Sequence, residues 1–208
     1  MSESMLCTVE DIRGFLRRTL SEHRFFHCEG VASSMRALFE QFGYPETSLL
    51  SYHGMDVSDV VGLMHDAARE YSDSELLRFA SAHSLALAPE MMAVPVLSHG
   101  VVAHGLALEL IGSDIPLPWL DAMDWHTTGN VKMGYIGMAL FIADFIEPGR
   151  TFLDDAKRRE YLGHDDMNQT ASAILDDMIA HWKSKGIVPS ESSSVLQKFF
   201  HDGGRIIL

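Results

Sequence analysis

Apolar residues recur along most of the chain at the spacing of one face of an α-helix. One such stretch has apolar residues at i, i+4, i+7, i+8 and i+11, which are Val31, Met35, Leu38, Phe39 and Phe42. Gly43 follows and is a typical helix-ending residue. The alternation of a β-strand is missing, because even β-branched pairs such as Val101-Val102 lie within helical patterns. The pattern predicts an all-α fold with short connections.

The same period predicts eight further helices. They lie near residues 9–20, 56–70, 73–83, 96–111, 117–125, 133–146, 166–184 and 192–200. Thr8 and Asp11 form a capping-box pattern in front of the first of them. Glycine and proline mark turns between helices, and these turns lie at 43–45, 114–118 and 147–149. Because no linker divides the core, we predict one domain over residues 1–208, with its core at about 9–184 and a peripheral C-terminal helix at about 190–201.

Composition and charge narrow the class of protein. The chain has 208 residues, of which 47% are apolar, so it can bury a sizeable core. Its 16 basic and 29 acidic residues give a net charge of −13, which argues against a protein that neutralises nucleic-acid phosphates. The two cysteines, Cys7 and Cys28, lack the spacing of a thiolate zinc cluster and suit a reducing compartment. Since no segment resembles a signal peptide or a membrane span, we expect a cytoplasmic protein without membrane partners. The net charge argues likewise against nucleic-acid partners, and a homo-oligomer is not indicated.

Histidine is frequent, and the dipeptide His-Asp occurs three times among 11 histidines. Two of these pairs, His164-Asp165 and His201-Asp202, lie in polar or glycine-rich segments where a solvated pair needs no special role. The third pair, His65-Asp66, lies in the apolar segment VVGLMHDAAR. Burying a carboxylate and an imidazole there costs several kcal/mol unless each finds a partner. A hydrogen-bonded core pair and a functional site both meet this requirement.

Asp144 interrupts an equally apolar segment, ALFIADFI. Because the helical stretch around it contains no Lys or Arg, a metal ion is the economical positive partner for Asp66 and Asp144. Three histidines in other apolar helices or at helix ends complete a candidate shell, although each alone is more readily explained as structural: His27, His99 and His126. Nitrogen and oxygen ligands favour iron, manganese, zinc or nickel. Cys28, beside His27, is better explained as a small buried hydrophobe.

Six residues occur along the chain in the order His27, His65-Asp66, His99, His126 and Asp144. This order resembles the extended motif of the dinuclear HD-domain metal phosphohydrolases. The flanking segments resemble the YqeK-type bacterial hydrolases of diadenosine tetraphosphate, in LSEHRFFHCEGV at 20–31, GLMHDAARE at 62–70, HTTG at 126–129 and ALFIADFIEPGR at 139–150. The resemblance covers roughly residues 9–200. Two departures are Cys28, where the family usually has Thr, and Arg69, where it usually has Lys.

The resemblance implies an all-α HD-domain bundle with a dinuclear metal site in its core. It implies one metal held by His27, His65, Asp66 and Asp144, and a second, bridged by Asp66, held by His99 and His126. The cofactors would be two divalent transition-metal ions, typically iron, with manganese or other divalent ions as substitutes. The implied enzyme is a symmetrical bis(5'-nucleosyl)-tetraphosphatase, which cleaves a small-molecule nucleotide, diadenosine tetraphosphate, to two ADP by metal-activated water.

Arginines are the candidate phosphate ligands, because a planar guanidinium binds phosphate oxygens bidentately. Arg24 and Arg69 fit this role, and Arg69 follows Asp66 by about one helical turn. The candidate catalytic residues are Arg69 and Asp66, the ligand that the resemblance implies to bridge the two metals. A surface arginine paired with Glu70 or Asp73 is the alternative for Arg69. Further candidates for substrate contacts are Thr127, Thr128 and Arg150. Two rival functions stay open: hydrolysis of a deoxynucleotide or cyclic phosphodiester at the same metals, and a catalytically inactive nucleotide-binding regulatory module.

Overall fold

The computed structural model describes residues 7–207, and across these the chain folds into eleven α-helices. They are α1 (Val9–Thr19), α2 (Glu22–Phe42), α3 (Val57–Met64), α4 (Asp73–Ala82), α5 (Pro89–Ala93), α6 (His99–Leu110), α7 (Leu117–Trp125), α8 (Gly134–Ile146), α9 (Asp155–Leu162), α10 (Met167–Ser184) and α11 (Glu191–His201). Two 3₁₀ turns occupy Thr47–Leu49 and Pro95–Ser98. A small antiparallel hairpin pairs β1 (Ser51–Tyr52) with β2 (Met55–Asp56). None of the helices in residues 7–207 has both the length and the apolar character needed to cross a bilayer.

The prediction of an all-α fold is confirmed, and most helices lie where the apolar period places them. Three predicted helices differ in extent. The one that carries Val31 and Met35, expected to begin at His27, begins earlier, at Glu22. The one expected at 56–70 ends at Met64, and the chain then continues in turns whose amides bond three residues back, as from Arg69 to Asp66. The one expected at 96–111 starts with a 3₁₀ turn, so that α6 begins at His99. The hairpin and the helices α5 and α9 lie outside the prediction.

The ends of the first two helices follow from their capping residues. Thr8 Oγ1 accepts a hydrogen bond from the Asp11 amide at 3.2 Å, and the Asp11 carboxylate accepts one from the Thr8 amide at 2.9 Å. This reciprocal pair is the predicted capping box. α2 ends at Phe42, and the next residue, Gly43, has a φ of 109°, which lies in the region that favours glycine.

Two glycines allow the helices around the centre of the molecule to approach closely. A Cβ on Gly62 of α3 would lie 2.5 Å from Ala32 Cα of α2, so the two backbones are in contact at this crossing. A Cβ on Gly100 of α6 would collide with the Met123 carbonyl oxygen of α7. These approaches bring His27 of α2 to the end of α3, and His99 of α6 to the end of α7.

α11 packs onto the rest of the fold through a few buried residues. Leu196 is fully buried, and Ser193 Oγ donates a hydrogen bond of 2.7 Å to the Thr128 carbonyl. Leu196 also lies against Gly129. The last helix therefore supports the turn that follows α7, which contains Thr127 and Thr128.

Candidate metal centre

The structure brings together all six residues that the sequence predicts as metal ligands. They come from five segments: α2 (His27), the end of α3 (His65 and Asp66), the start of α6 (His99), the residue after α7 (His126) and α8 (Asp144). The four histidines and Asp66 are buried, while the Asp144 side chain is 22% exposed. Five segments that are distant in sequence thus deliver imidazoles and carboxylates to one point in a helical bundle, as in other metal sites of such folds.

Asp66 lies in the middle of the cluster, with its two oxygens facing different partners. Oδ1 lies 3.0 Å from His99 Nε2 and 3.5 Å from His126 Nε2. Oδ2 lies 3.5 Å from His27 Nε2 and 3.6 Å from His65 Nε2. Asp144 faces the same two histidines as Asp66 Oδ2, since Asp144 Oδ1 lies 3.0 Å from His27 Nε2 and 3.9 Å from His65 Nε2. The carboxylate of Asp66 therefore stands between two groups of ligand atoms.

Three of the rings are oriented by the turn that precedes them. The Nδ1 atoms of His65, His99 and His126 lie 2.8, 2.6 and 2.7 Å from the carbonyl oxygens of the residues three positions earlier. Because a carbonyl only accepts, each Nδ1 carries the proton. The lone pair of a neutral ring then lies on Nε2, which faces the centre of the cluster.

The lone pairs on the histidine Nε2 atoms fit a bound cation. His27 Nε2 and His65 Nε2 are buried and have no hydrogen-bond partner among the described residues. His99 Nε2 and His126 Nε2 lie 3.0 Å apart, and the one hydroxyl proton of Thr127 can serve only one of them, so with both Nδ1 atoms protonated the other lone pair has no donor. Buried acceptors without a donor are costly. A cation that accepts these lone pairs would relieve the cost, and the donor set suits a divalent transition metal.

The protonation states of His65, Asp66 and Asp144 also suit a metal. Burial lowers the pKa of His65 to about 3, so this ring is neutral. The pKa of Asp66 lies well below its usual range, although burial alone would raise it. For Asp144, burial is again outweighed, by the neighbouring His27 and Arg150, and the pKa is lowered. Neutral imidazole and ionised carboxylate are the forms that bind metals.

The helical stretch around Asp144 contains no basic residue, as the sequence shows, but the structure supplies a basic partner from outside α8. Arg150 Nη2 pairs with Asp144 Oδ1, and Arg150 Nε donates to the Asp144 carbonyl at 2.9 Å. Arg150 lies beyond the end of α8, and the turn at Pro148 and Gly149 folds it back. Asp66 also has an arginine, since Arg24 Nη1 lies 2.6 Å from its Oδ2. The structural support for a metal therefore comes from the imidazole nitrogens.

Glu147 is a residue of this centre that the sequence analysis does not single out. Its side chain is 4% exposed, and its Oε1 lies 3.1 Å from His27 Nδ1. Its Oε2 accepts a hydrogen bond from the Gly149 amide at 2.6 Å, while a Cβ on Gly30 would lie 2.6 Å from the same oxygen. Glu147 thus orients His27 as the carbonyls orient the other rings. The sequence signal is an acid directly after an apolar run, in FIADFIEPG.

Replacement of Glu147 by alanine should lower the affinity for metal by about 10- to 100-fold, because His27 loses the partner that fixes its ring. Competition titration with a chelator measures this affinity. Glu147→Gln should give a smaller loss, since the amide oxygen can still accept from Nδ1. The matched control is Glu109→Ala, which removes a carboxylate from an exposed histidine, His83, at 2.6 Å. Equal affinities for Glu147→Ala and the control would contradict the assignment.

A cavity of about 380 Å³ lies over the cluster. Four of the residues predicted to contact the substrate line this cavity: Arg24, Arg69, Thr127 and Arg150. Arg69 reaches it from the turn after α3 instead of from a helix, and its alternative partner Glu70 accepts hydrogen bonds from Ser21. Thr128 lines a neighbouring cavity instead.

Comparison with known proteins gives relatives over most of the chain. The symmetrical bis(5'-nucleosyl)-tetraphosphatase of Bacillus subtilis (strain 168) is 27% identical over 167 residues, which cover 77% of this chain and 80% of that protein. The protein of the same name from Staphylococcus aureus (strain NCTC 8325 / PS 47) is 28% identical over 160 residues and 74% of each chain. No family model matches.

A solved structure from Clostridium acetobutylicum, described as a predicted HD superfamily hydrolase involved in NAD metabolism, is similar with a TM-score of 0.82 and 24% identity. The similarity covers 95% of this chain and 99% of that one. The predicted resemblance, the helical HD fold and the assignment as a hydrolase are confirmed by these comparisons.

Proposed function

We propose that this chain is a metal-dependent phosphoanhydride hydrolase that cleaves diadenosine tetraphosphate symmetrically to two ADP. The observation that supports this best is the position of Asp66, whose two oxygens face separate pairs of buried imidazole nitrogens below a cavity lined by three arginines. The names of the curated relatives support the choice of substrate. The free thiols of Cys7 and Cys28 agree with the proposed location, the cytoplasm.

The cluster would hold two divalent cations, which we propose to be iron, with manganese or another divalent ion as a substitute. One set of ligands is His27, His65, Asp66 and Asp144, and the other is Asp66, His99 and His126. When bound, such a pair of cations supplies an activated water as the nucleophile and neutralises charge on the attacked phosphate.

The arginines of the cavity would bind the polyphosphate. Arg24, Arg69 and Arg150 line its wall, and a guanidinium matches the geometry of phosphate oxygens. Arg24 and Arg150 also contact the carboxylates of Asp66 and Asp144, so they would link the phosphates to the ligand set. The net charge of −13 does not oppose this, because distant charges are screened beyond about 8 to 10 Å.

Thr127 would contact the substrate as well as the ligand set. Its Oγ1 lies 3.1 Å from His126 Nε2 and 3.3 Å from His99 Nε2, and the residue lines the cavity. A hydroxyl both donates and accepts, so Thr127 can hold a phosphate oxygen or the attacking water by a hydrogen bond. It would orient these groups on the side of His99 and His126.

Hydrolysis of diadenosine tetraphosphate in oxygen-18 water tests this proposal. We expect ADP as the sole product, with one labelled oxygen in half of the ADP molecules, because solvent attacks one of two equivalent central phosphates. Chromatography with mass spectrometry identifies the products. AMP with ATP would contradict symmetrical cleavage, and unlabelled ADP would contradict water as the nucleophile. Faster hydrolysis of a deoxynucleotide or cyclic phosphodiester would favour the rival substrate.

A further inference from the structure

The turn that follows α8, which we call the 147–150 turn, carries two residues of the candidate centre. Glu147 contacts His27 Nδ1 through its carboxylate, and Arg150 pairs with Asp144 and lines the cavity over the cluster. Within the turn, the Arg150 amide donates to the Glu147 carbonyl at 3.1 Å. The positions of Glu147 and Arg150 relative to the ligand set therefore depend on what holds this short turn against the rest of the fold.

Arg158 of α9 holds the 147–150 turn by its carbonyl oxygens. Arg158 Nε donates a hydrogen bond of 2.8 Å to the Ile146 carbonyl, and its Nη2 donates one of 2.8 Å to the Arg150 carbonyl. The same Nη2 lies 3.3 Å from the Glu147 carbonyl oxygen. One guanidinium thus bridges the end of α8 and the last residue of the turn.

An arginine suits this position for two physical reasons. The last carbonyls of a helix have no partner within the helix, and a positive charge is favourable beside them. A guanidinium also carries its donors in a rigid, planar fork, so that it holds several oxygens at a fixed spacing, which a lysine ammonium does not. The Arg158 side chain is only 15% exposed, so water competes little for these bonds.

α9 is itself held by α10, which gives Arg158 a fixed base. Thr170 Oγ1 of α10 donates to the Tyr161 carbonyl of α9 at 3.0 Å. The Tyr161 hydroxyl donates to Asp177 Oδ2 at 2.6 Å, and Lys157 Nζ lies 3.0 Å from the same oxygen. A chain of contacts therefore runs from α10 through α9 and Arg158 to the 147–150 turn.

We infer that Arg158 is a positioning residue of the site, which sets both the contact of Glu147 with His27 and the place of Arg150 in the cavity. Arg158 is not among the described residues that line that cavity, so it acts through the other two. Its effect on turnover rests on the proposed function. Its effects on the turn and on metal affinity do not.

Hydrogen exchange of the metal-free protein tests the hold on the turn. Arg158→Ala should speed exchange of the Gly149 and Arg150 amides by about tenfold, because the turn loses its bonds to α9. Two arginines provide matched controls that should leave this exchange unchanged. Arg159→Ala removes the exposed neighbour on α9, and Arg13→Ala removes a partly buried arginine of α1 that pairs with carboxylates.

A double-mutant cycle tests the path to the metal ligands. Arg158→Ala should lower the affinity for Mn²⁺, measured by competition with a chelator, by about tenfold. In a Glu147→Ala background the same change should give no further loss, because its effect passes through Glu147. Arg158→Lys should recover only part of the affinity, since one ammonium cannot replace the fork. If Arg158→Ala does not fold, Arg158→Lys serves for all measurements.

A second cycle tests the path to the substrate at saturating metal. Arg158→Ala should lower kcat/KM for diadenosine tetraphosphate by about tenfold, mainly through a higher KM, and should give no further loss in an Arg150→Ala background. A merely structural residue would instead lower stability and leave metal affinity and KM per folded molecule unchanged.

The positioning role is overturned if exchange and metal affinity in Arg158→Ala lie within twofold of Arg159→Ala. It is also overturned if the losses add in full to those of Glu147→Ala and Arg150→Ala. If the wild type does not cleave diadenosine tetraphosphate, the proposed function fails, and the exchange and metal titrations still decide the role of Arg158. If it does cleave and those two measurements match the control, the positioning role fails and the proposed function stands.

Discussion

Replacement of Asp66 by asparagine should abolish turnover, with kcat/KM falling by about a thousandfold or more, and should reduce the metal content from two ions per chain. Asparagine preserves the shape of the side chain and removes its charge. Since the two oxygens of Asp66 face different groups of imidazoles, the change affects both proposed metal positions at once. Steady-state kinetics and elemental analysis of anaerobically purified protein measure the two effects.

The sequence provides its own control for this experiment. Asp165 follows His164 in another His-Asp pair, and the structure leaves Asp165 exposed. Asp165→Asn should therefore keep the wild-type rate and metal content. A rate and metal content of Asp66→Asn within twofold of this control would refute the dinuclear assignment.

Replacement of Gly62 by alanine should lower the free energy of unfolding by about 3 kcal/mol, because the added methyl group has no space at the crossing of α2 and α3. Its Cβ would lie 2.5 Å from Ala32 Cα and 2.7 Å from Ala32 N, and a backbone cannot move aside as a flexible side chain can. For a chain of this size the loss corresponds to a fall in Tm of about 10 °C. Thermal and denaturant unfolding of the metal-free protein measure it.

Gly14, within α1, is the matched control. The nearest atom to its added Cβ is the end of the Arg18 side chain at 3.4 Å. Gly14→Ala should therefore raise stability by about 0.5 to 1 kcal/mol through helix propensity alone. If both alanine variants were stabilised, the close contact of α2 and α3 would not limit this crossing.

The sequence predicts those helices well whose apolar face is long and whose ends have capping residues. α1, with Thr8 before it, and the C-terminal part of α2, with Gly43 after it, are of this kind. α9 escapes prediction because its sequence, DAKRREYL, is mostly charged, and Tyr161 is its buried residue. Its position depends on contacts with distant segments, such as the hydrogen bond from Thr170 Oγ1 to the Tyr161 carbonyl. The spacing of apolar residues within α9 does not predict such contacts.

At the candidate centre, the sequence identifies polar residues within apolar helices, because such residues are costly without a partner. Asp66 and Asp144 are found in this way. The pairing of Arg150, a predicted substrate residue, with Asp144 is not found in this way, because Arg150 lies past the end of α8 and returns through a turn. Glu147 is also missed, because its contact with His27 joins residues that are 120 positions apart in the sequence. Local pattern thus finds candidate ligands, and the path of the chain after each helix decides what surrounds them.

The contacts that orient His65, His99 and His126 each span three residues, from ring to carbonyl. The direction of each ring is therefore fixed by a single turn of backbone, whatever the side chains of that turn are. Substitutions elsewhere can accumulate without rotating these ligands, provided that the helices still meet. A centre oriented in this way can keep its geometry while many other positions change. His27 is the exception, because its orientation depends on the distant Glu147, and the two residues are therefore expected to change together in evolution.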